Sequence, residues 1–184
     1  MRCRRSKSAI RAGLVAGLVA GLAASFAMNL AMRLGAIVSE ASDPFESEAA
    51  REDRLAKRIR HFQELGDPNQ EILSRASLRL FRHEIPTVQL QKTATAVHYV
   101  FGTALGCAYT AVADLFPAIS SGTGLGFGLG WWGAVNEVLL PKSGLLPPVK
   151  NIPKQMHAAM LVSHVVYGIS LEQVRRSVRG MLRA

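Results

Sequence analysis

Apolar positions along the chain gather into four runs that are too long and too uniform for the alternation of a sheet. The first, residues 12–38, opens with Ala12 to Met32, 21 residues with no charge and only Ser25 and Asn29 as polar interruptions. As a helix this stretch spans roughly 30 Å, the thickness of bilayer hydrocarbon. Residues 93–117 form a second run, interrupted by His98 and Asp114. Residues 119–140 form a third with Glu137 as its one charge, and residues 155–172 a shorter fourth that carries His157 and His164. The pattern predicts an all-α fold: a four-helix transmembrane bundle, with an extramembrane helical segment between the first and second spans.

The links sharpen that picture. Phe116-Pro117-Ala118 is all that separates the second and third runs, so those helices should be antiparallel neighbours. Residues 141–154 hold four prolines and a glycine and should form a loop rather than continue a helix. Residues 39–92 follow another rule. Ser42-Asp43-Pro44 reads as a helix start, with mixed acids and bases up to Leu65 and a stop at Gly66, and Asp67-Pro68 reads as a second start. From there Ile72, Leu73, Ala76, Leu80 and Phe81 fall on one side of a helix and Arg75, Arg79 and Arg82 on another. Such a helix either caps the mouth of the bundle or lies on lipid.

Composition supports a membrane address. Nearly half of the 184 residues are hydrophobic and 19% are charged, with 10 of 13 acids and 9 of 22 bases between Ser39 and Thr93. Disorder and a disulfide scaffold are both excluded, the first by the clustered aliphatics and the second by a cysteine count of two. Cys3 and Cys107 are expected to be free thiols. The net charge of +9 comes mainly from the termini, while acids and bases nearly cancel in the middle, so no nucleic-acid partner is expected. Five Lys or Arg precede Ala12, four lie in residues 173–184 and three in the 141–154 loop. By the positive-inside rule this places the basic N-terminus (1–11) and the basic C-terminus in the cytoplasm of a bacterial inner membrane, with residues 39–92 outside. A secretory signal peptide is the competing reading of the first run, but the run is long for an apolar h-region.

Helices in lipid associate by close packing over small residues and by buried polar contacts. Gly13, Gly17 and Gly21 mark one such face, Gly102 and Gly106 another, and Gly126, Gly130 and Gly133 a third. At about 100° per residue Glu137 falls on the mean direction of the third set and so should point inward. His98 shares a face with Gly102, and His157 with His164. Antiparallel stacking puts His98, Glu137 and His157 at one level near the outer boundary, with His164 roughly 10 Å deeper. A carboxylate at that depth needs a partner. A histidine beside it, with an ordinary pKa near about 6.5, would change charge as the outside acidifies. Hence His98, Glu137, His157 and His164 are the candidate proton-responsive cluster. The alternative is that these groups only lock helices together.

Other chemistry is weakly signalled. Two histidines and a glutamate could bind zinc, yet no H-E-x-x-H or C-x-x-C spacing occurs, so no metal site is assigned. Gly128-Leu-Gly130-Trp-Trp-Gly133 matches G-x-G-x-x-G without the strand that a dinucleotide site needs, so no cofactor is expected. Ser163 and His164, adjacent on a helix, do not face each other as a nucleophile and its base would. No catalytic residue is assigned, and the chain is read as non-enzymatic. Trp131 and Trp132 are read as packing residues, and Tyr99, Tyr109 and Tyr167 as hydrogen-bond donors within the bundle. A homo-oligomer is expected through a spare glycine face, that of Gly13, Gly17 and Gly21. The lipid bilayer is the other partner.

His98-Tyr99-Val-Phe101-Gly102, Gly106-x-x-Tyr109, the glycine-rich stretch from Gly124 to Gly133 leading to Asn136-Glu137 and Pro141, and His157 with His164-x-x-Tyr167-Gly168 together resemble the YagU-like family of small bacterial inner-membrane proteins. The first span, Gly13 to Leu34 with Met28-Asn29, is also similar. The resemblance implies a four-helix integral membrane protein and an association with acid resistance. The charged segment before the second span has no counterpart in it.

Overall fold

The computed structural model describes residues 2–38, 47–50, 52–53, 56–57, 67–120 and 122–182. The expected helix start at Ser42-Asp43-Pro44 and the stop at Gly66 lie outside them, as do the side chains of residues 1–9, Cys3 among them. The described residues form helices and turns without a strand: α1 (Arg2–Val38), α2 (Pro68–Phe81), α3 (Thr87–Leu115), α4 (Leu125–Trp132), α5 (Leu140–Ser143) and α6 (Lys154–Met181). A π-helical segment, Gly133–Leu139, joins α4 to α5 without a break.

Helix direction alternates. Gly13 near the start of α1 sits beside Asp114 at the end of α3 and Arg179 at the end of α6. At the other end Met32 of α1 packs with Ile72 of α2, Leu140 of α5 and Met156 and Met160 of α6. α1 and α4 therefore run one way, and α3 and α6 the other.

The core is built from small residues. On α1 the buried positions are Gly13, Ala16, Gly17, Ala20, Gly21, Ala24 and Ser25, while Leu14, Leu18, Leu22 and Phe26 are about half exposed or more. Water would favour the reverse; a lipid exterior favours this arrangement, because leucine is at no disadvantage among acyl chains and close helix approach needs small side chains. Two described helices, Ile10–Leu34 within α1 and Thr87–Leu115, are long and apolar enough to cross a membrane by length and composition.

Several predicted boundaries shift. α3 begins at Thr87, after Pro86, rather than at residue 93. The third helix starts at Leu125, not at residue 119, because Gly122, Thr123 and Gly124 all hold positive φ (86°, 62° and 83°) and cannot continue a right-handed helix. The link from α3 is thus longer than three residues and includes a 3₁₀ turn, Pro117–Ser120. Pro141 does not end the helix. It lacks an N–H and crowds the carbonyl four residues back, and the wider π turns just before it relieve that clash, so the helix runs on to Ser143 and ends at Gly144 with φ 70°.

The Asp67-Pro68 start forms as read: the Asp67 carboxylate accepts from the Asn69 N–H at 2.9 Å and proline follows it. α2 lies across the bundle end. Ile72, Leu73 and Ala76 face inward, while Leu80 and Phe81 project outward, each more than 70% exposed. Arg75 donates to the Gly144 carbonyl at 3.2 Å and Arg79 to that of Ser143, which ties the cap to the α5–α6 loop.

Candidate functional site

Close approach of α1 and α3 sets the geometry of everything else. A Cβ on Gly17 would lie 2.7 Å from the Cα of Cys107, and one on Gly106 would lie 2.5 Å from the Cα of Gly21. The face of Gly13, Gly17 and Gly21, expected to be left for self-association, is therefore consumed within the chain. On the third helix the expected face is the wrong one. Gly126, Gly130 and Gly133 have open space where a Cβ would stand, and it is Gly124 and Gly128 that meet Gly168 and His164 on α6. Gly102 makes room for the side chains of Ser25 and Tyr167.

This packing opens a cavity of about 310 Å³ between α1, α2, α3, α4, the π segment and α6. Its polar groups include His98, Asn136 and His164. The Nδ1 of His164 lies 2.7 Å from the Met160 carbonyl and must donate to it, so the Nε2, 3.1 Å from the Asn136 amide nitrogen, accepts. His164 is thereby fixed as one neutral tautomer, and Asn136 keeps its amide oxygen for another donor. The ring of His98 lies against the backbone carbonyl of Ser25, and its Nε2 is buried without a partner.

Glu137 and His157 form a separate pair. Their Oε1 and Nε2 atoms are 3.5 Å apart, and both side chains are partly exposed, at 23% and 29%. The π segment produces this split. Its wider turn buries Asn136 toward His164 and rotates Glu137 toward His157, so a wheel of 100° per residue fails between Gly126 and Glu137. The ring of Trp132 meets that of His157 edge-on at 5.2 Å. The four expected residues thus form two arrangements, His98 with His164 in the cavity and Glu137 with His157 beside it, and not one cluster. Among the described residues no group of three His, Cys, Asp or Glu is placed to hold a metal ion.

Sequence reasoning passed over a network at the opposite end. Glu172 is fully buried, accepts from Tyr109 Oη at 2.9 Å and from Arg175 Nε and a terminal nitrogen at 2.7 and 2.8 Å, and also binds Arg176. Asp114 pairs with Arg179 and lies 3.8 Å from Arg175. Donating to the Glu172 carboxylate raises the pKa of the Arg175 guanidinium above the ordinary arginine value, so it stays charged. The signal was present: Glu172 precedes Arg175 and Arg176 by three and four residues, the spacing of helical ion pairs. Tyr167 donates to the Gly102 carbonyl at 2.6 Å, so two of the three tyrosines act as expected. Cys107 is a free thiol.

Residues 59–173, more than half of the chain, match the family described as protein of unknown function (DUF1440). The chain belongs to this family. The matched region takes in α2, α3, α4, the π segment, α5 and most of α6, with His98, Glu137, His157 and His164, and it leaves α1 outside. The cap helix, which the resemblance had left without a counterpart, lies within the matched region. A second likeness is to the inner membrane protein YagU of Escherichia coli (strain K12), 29% identical over 85 residues, 46% of this chain. The match spans 42% of the length of that relative. No solved structure matches.

Proposed function

We propose that this is a non-enzymatic protein of a bacterial inner membrane, crossing it four times with both termini in the cytoplasm, and that it responds to external protons through Glu137 and His157. The alternating helix directions, the apolar outward faces and the name of the Escherichia coli relative support the membrane reading. Arg175, Arg176 and Arg179 still count toward a cytoplasmic C-terminus despite their acidic partners, because acids contribute little to the positive-inside rule.

The 3.5 Å approach of Glu137 to His157 carries the proton reading. A neutral imidazole gains little from a carboxylate, whereas an imidazolium gains an ion pair, so the contact strengthens as the histidine takes up a proton. Both side chains are partly exposed, as a group that exchanges protons with its surroundings requires. An acid-stress role suits such a response. For His164 the structural reading is favoured, since both ring nitrogens are already engaged with Met160 and Asn136.

Trp132 provides the test, because an indole in contact with an imidazole is quenched when that ring becomes charged. In a Trp131→Phe background, fluorescence should step as the medium is acidified. His157→Gln should abolish the step and Glu137→Gln should move it to lower pH. A step that survives both substitutions would refute the proposal.

A further inference from the structure

The cavity beneath α2 presents an unusual combination of apolar walls and uncommitted hydrogen-bond acceptors. Met28, Met32, Ile72, Phe101 and Trp131 supply much of the wall, and no Asp, Glu, Lys or Arg lines it. The hydroxyl protons of two of its polar residues are already spent: Ser163 donates to Met160 and Tyr167 to Gly102. His98 Nε2 is buried with no partner, and in the neutral ring protonated at Nδ1, the nitrogen on the Ser25 side, it carries a lone pair. The Asn136 oxygen is the second spare acceptor, because the amide nitrogen serves His164. Asn29 and Asn69 add amides that can act either way.

We infer that this cavity binds a compact, uncharged, apolar molecule bearing a hydroxyl group, which enters from the bilayer and donates to His98 or Asn136. The volume is at the small end of small-molecule sites, which points to a single ring with a short tail. An anion would find no cation in the wall, and a permanent cation no carboxylate. A ligand that lacks a donor would leave the buried His98 nitrogen unsatisfied. Binding of this kind goes beyond the proton response and is independent of the Glu137–His157 pair.

Two probes of nearly equal shape test it, 4-butylphenol and its methyl ether 4-butylanisole, titrated calorimetrically into the full chain in maltoside micelles with protein-free micelles subtracted. The expected result is saturable binding of the phenol, about tenfold tighter than the ether, as one hydrogen bond would give. His98→Phe or Asn136→Leu should shrink that preference, with the pair of substitutions removing it. Equal affinity for the two probes in the unaltered protein overturns the inference, as does the absence of saturable phenol binding, which would leave water as the occupant. A preference that persists in the double variant overturns it too. Should the variants fail to fold, the comparison in the unaltered protein decides alone.

Discussion

Replacing Gly106 by alanine places a methyl group where α1 already stands. Its carbon would lie 2.5 Å from the Cα of Gly21 and 2.8 Å from both the Gly17 oxygen and the Gly21 nitrogen, whereas ordinary contact begins at 3.4 Å. All three are backbone atoms, so no side chain can swing away and the helices must part by about 1 Å, enough to forfeit a quarter to a half of each dispersion contact along the seam. Overpacking of this kind costs about 1–3 kcal/mol. Alanine's better helix propensity returns up to about 1 kcal/mol, and with only backbone in the way steric overlap wins, for a net loss of up to about 2 kcal/mol. Gly130→Ala meets open space and keeps only the propensity gain. The propensity gain is common to both, so the two variants should differ by the overpacking cost alone, about 1–3 kcal/mol. Titration of micellar protein with dodecyl sulfate, followed by circular dichroism, measures this as a separation of unfolding midpoints. Equal midpoints, or a more stable Gly106→Ala, would refute the seam.

Three further outcomes follow from other parts of the molecule. Glu172→Gln leaves Arg175 buried with only Asp114 near it, and breaking a buried pair costs about 3–5 kcal/mol, so the midpoint in the same titration should fall further than for Gly106→Ala. Tyr109→Phe removes one donor to that carboxylate and should cost about 1 kcal/mol, read as a smaller shift of that midpoint. Gly124→Ala combines a left-handed backbone, φ 83°, with direct overlap on the Gly168 carbonyl, and should be the most damaging of the glycine substitutions in a thermal-aggregation assay.

What the sequence discloses depends on how many partners a residue needs before its role is fixed. The Asp67 cap is local and was legible from two adjacent residues. The α1 face of Gly13, Gly17 and Gly21 was legible too, since small residues at four-residue spacing have one direction in which to point. Its partner was not, because that choice involves a second helix. Around Gly122, Gly124, Gly126, Gly128 and Gly130 the difficulty is greater: glycine recurs every second residue, every side of the helix acquires one, and periodicity cannot select Gly124 and Gly128. The Glu137–His157 contact emerged from a wheel that assumed a regular helix, yet the same assumption wrongly added His98, because π turns are set by Pro141 and tertiary packing rather than by hydropathy. The Glu172 network escaped because its arginines were weighed as charges on a tail, although their spacing marks them as ligands of a carboxylate.

The helix that recurs least visibly is the one on which the others lean. α1 falls outside the stretch by which kinship is recognised, yet its small residues receive both α3 and α6. A fragment trimmed to the recognisable part would expose two backbone-lined grooves to lipid and would have to borrow a replacement helix from elsewhere. For this protein, the matched stretch is smaller than the set of helices that pack as one.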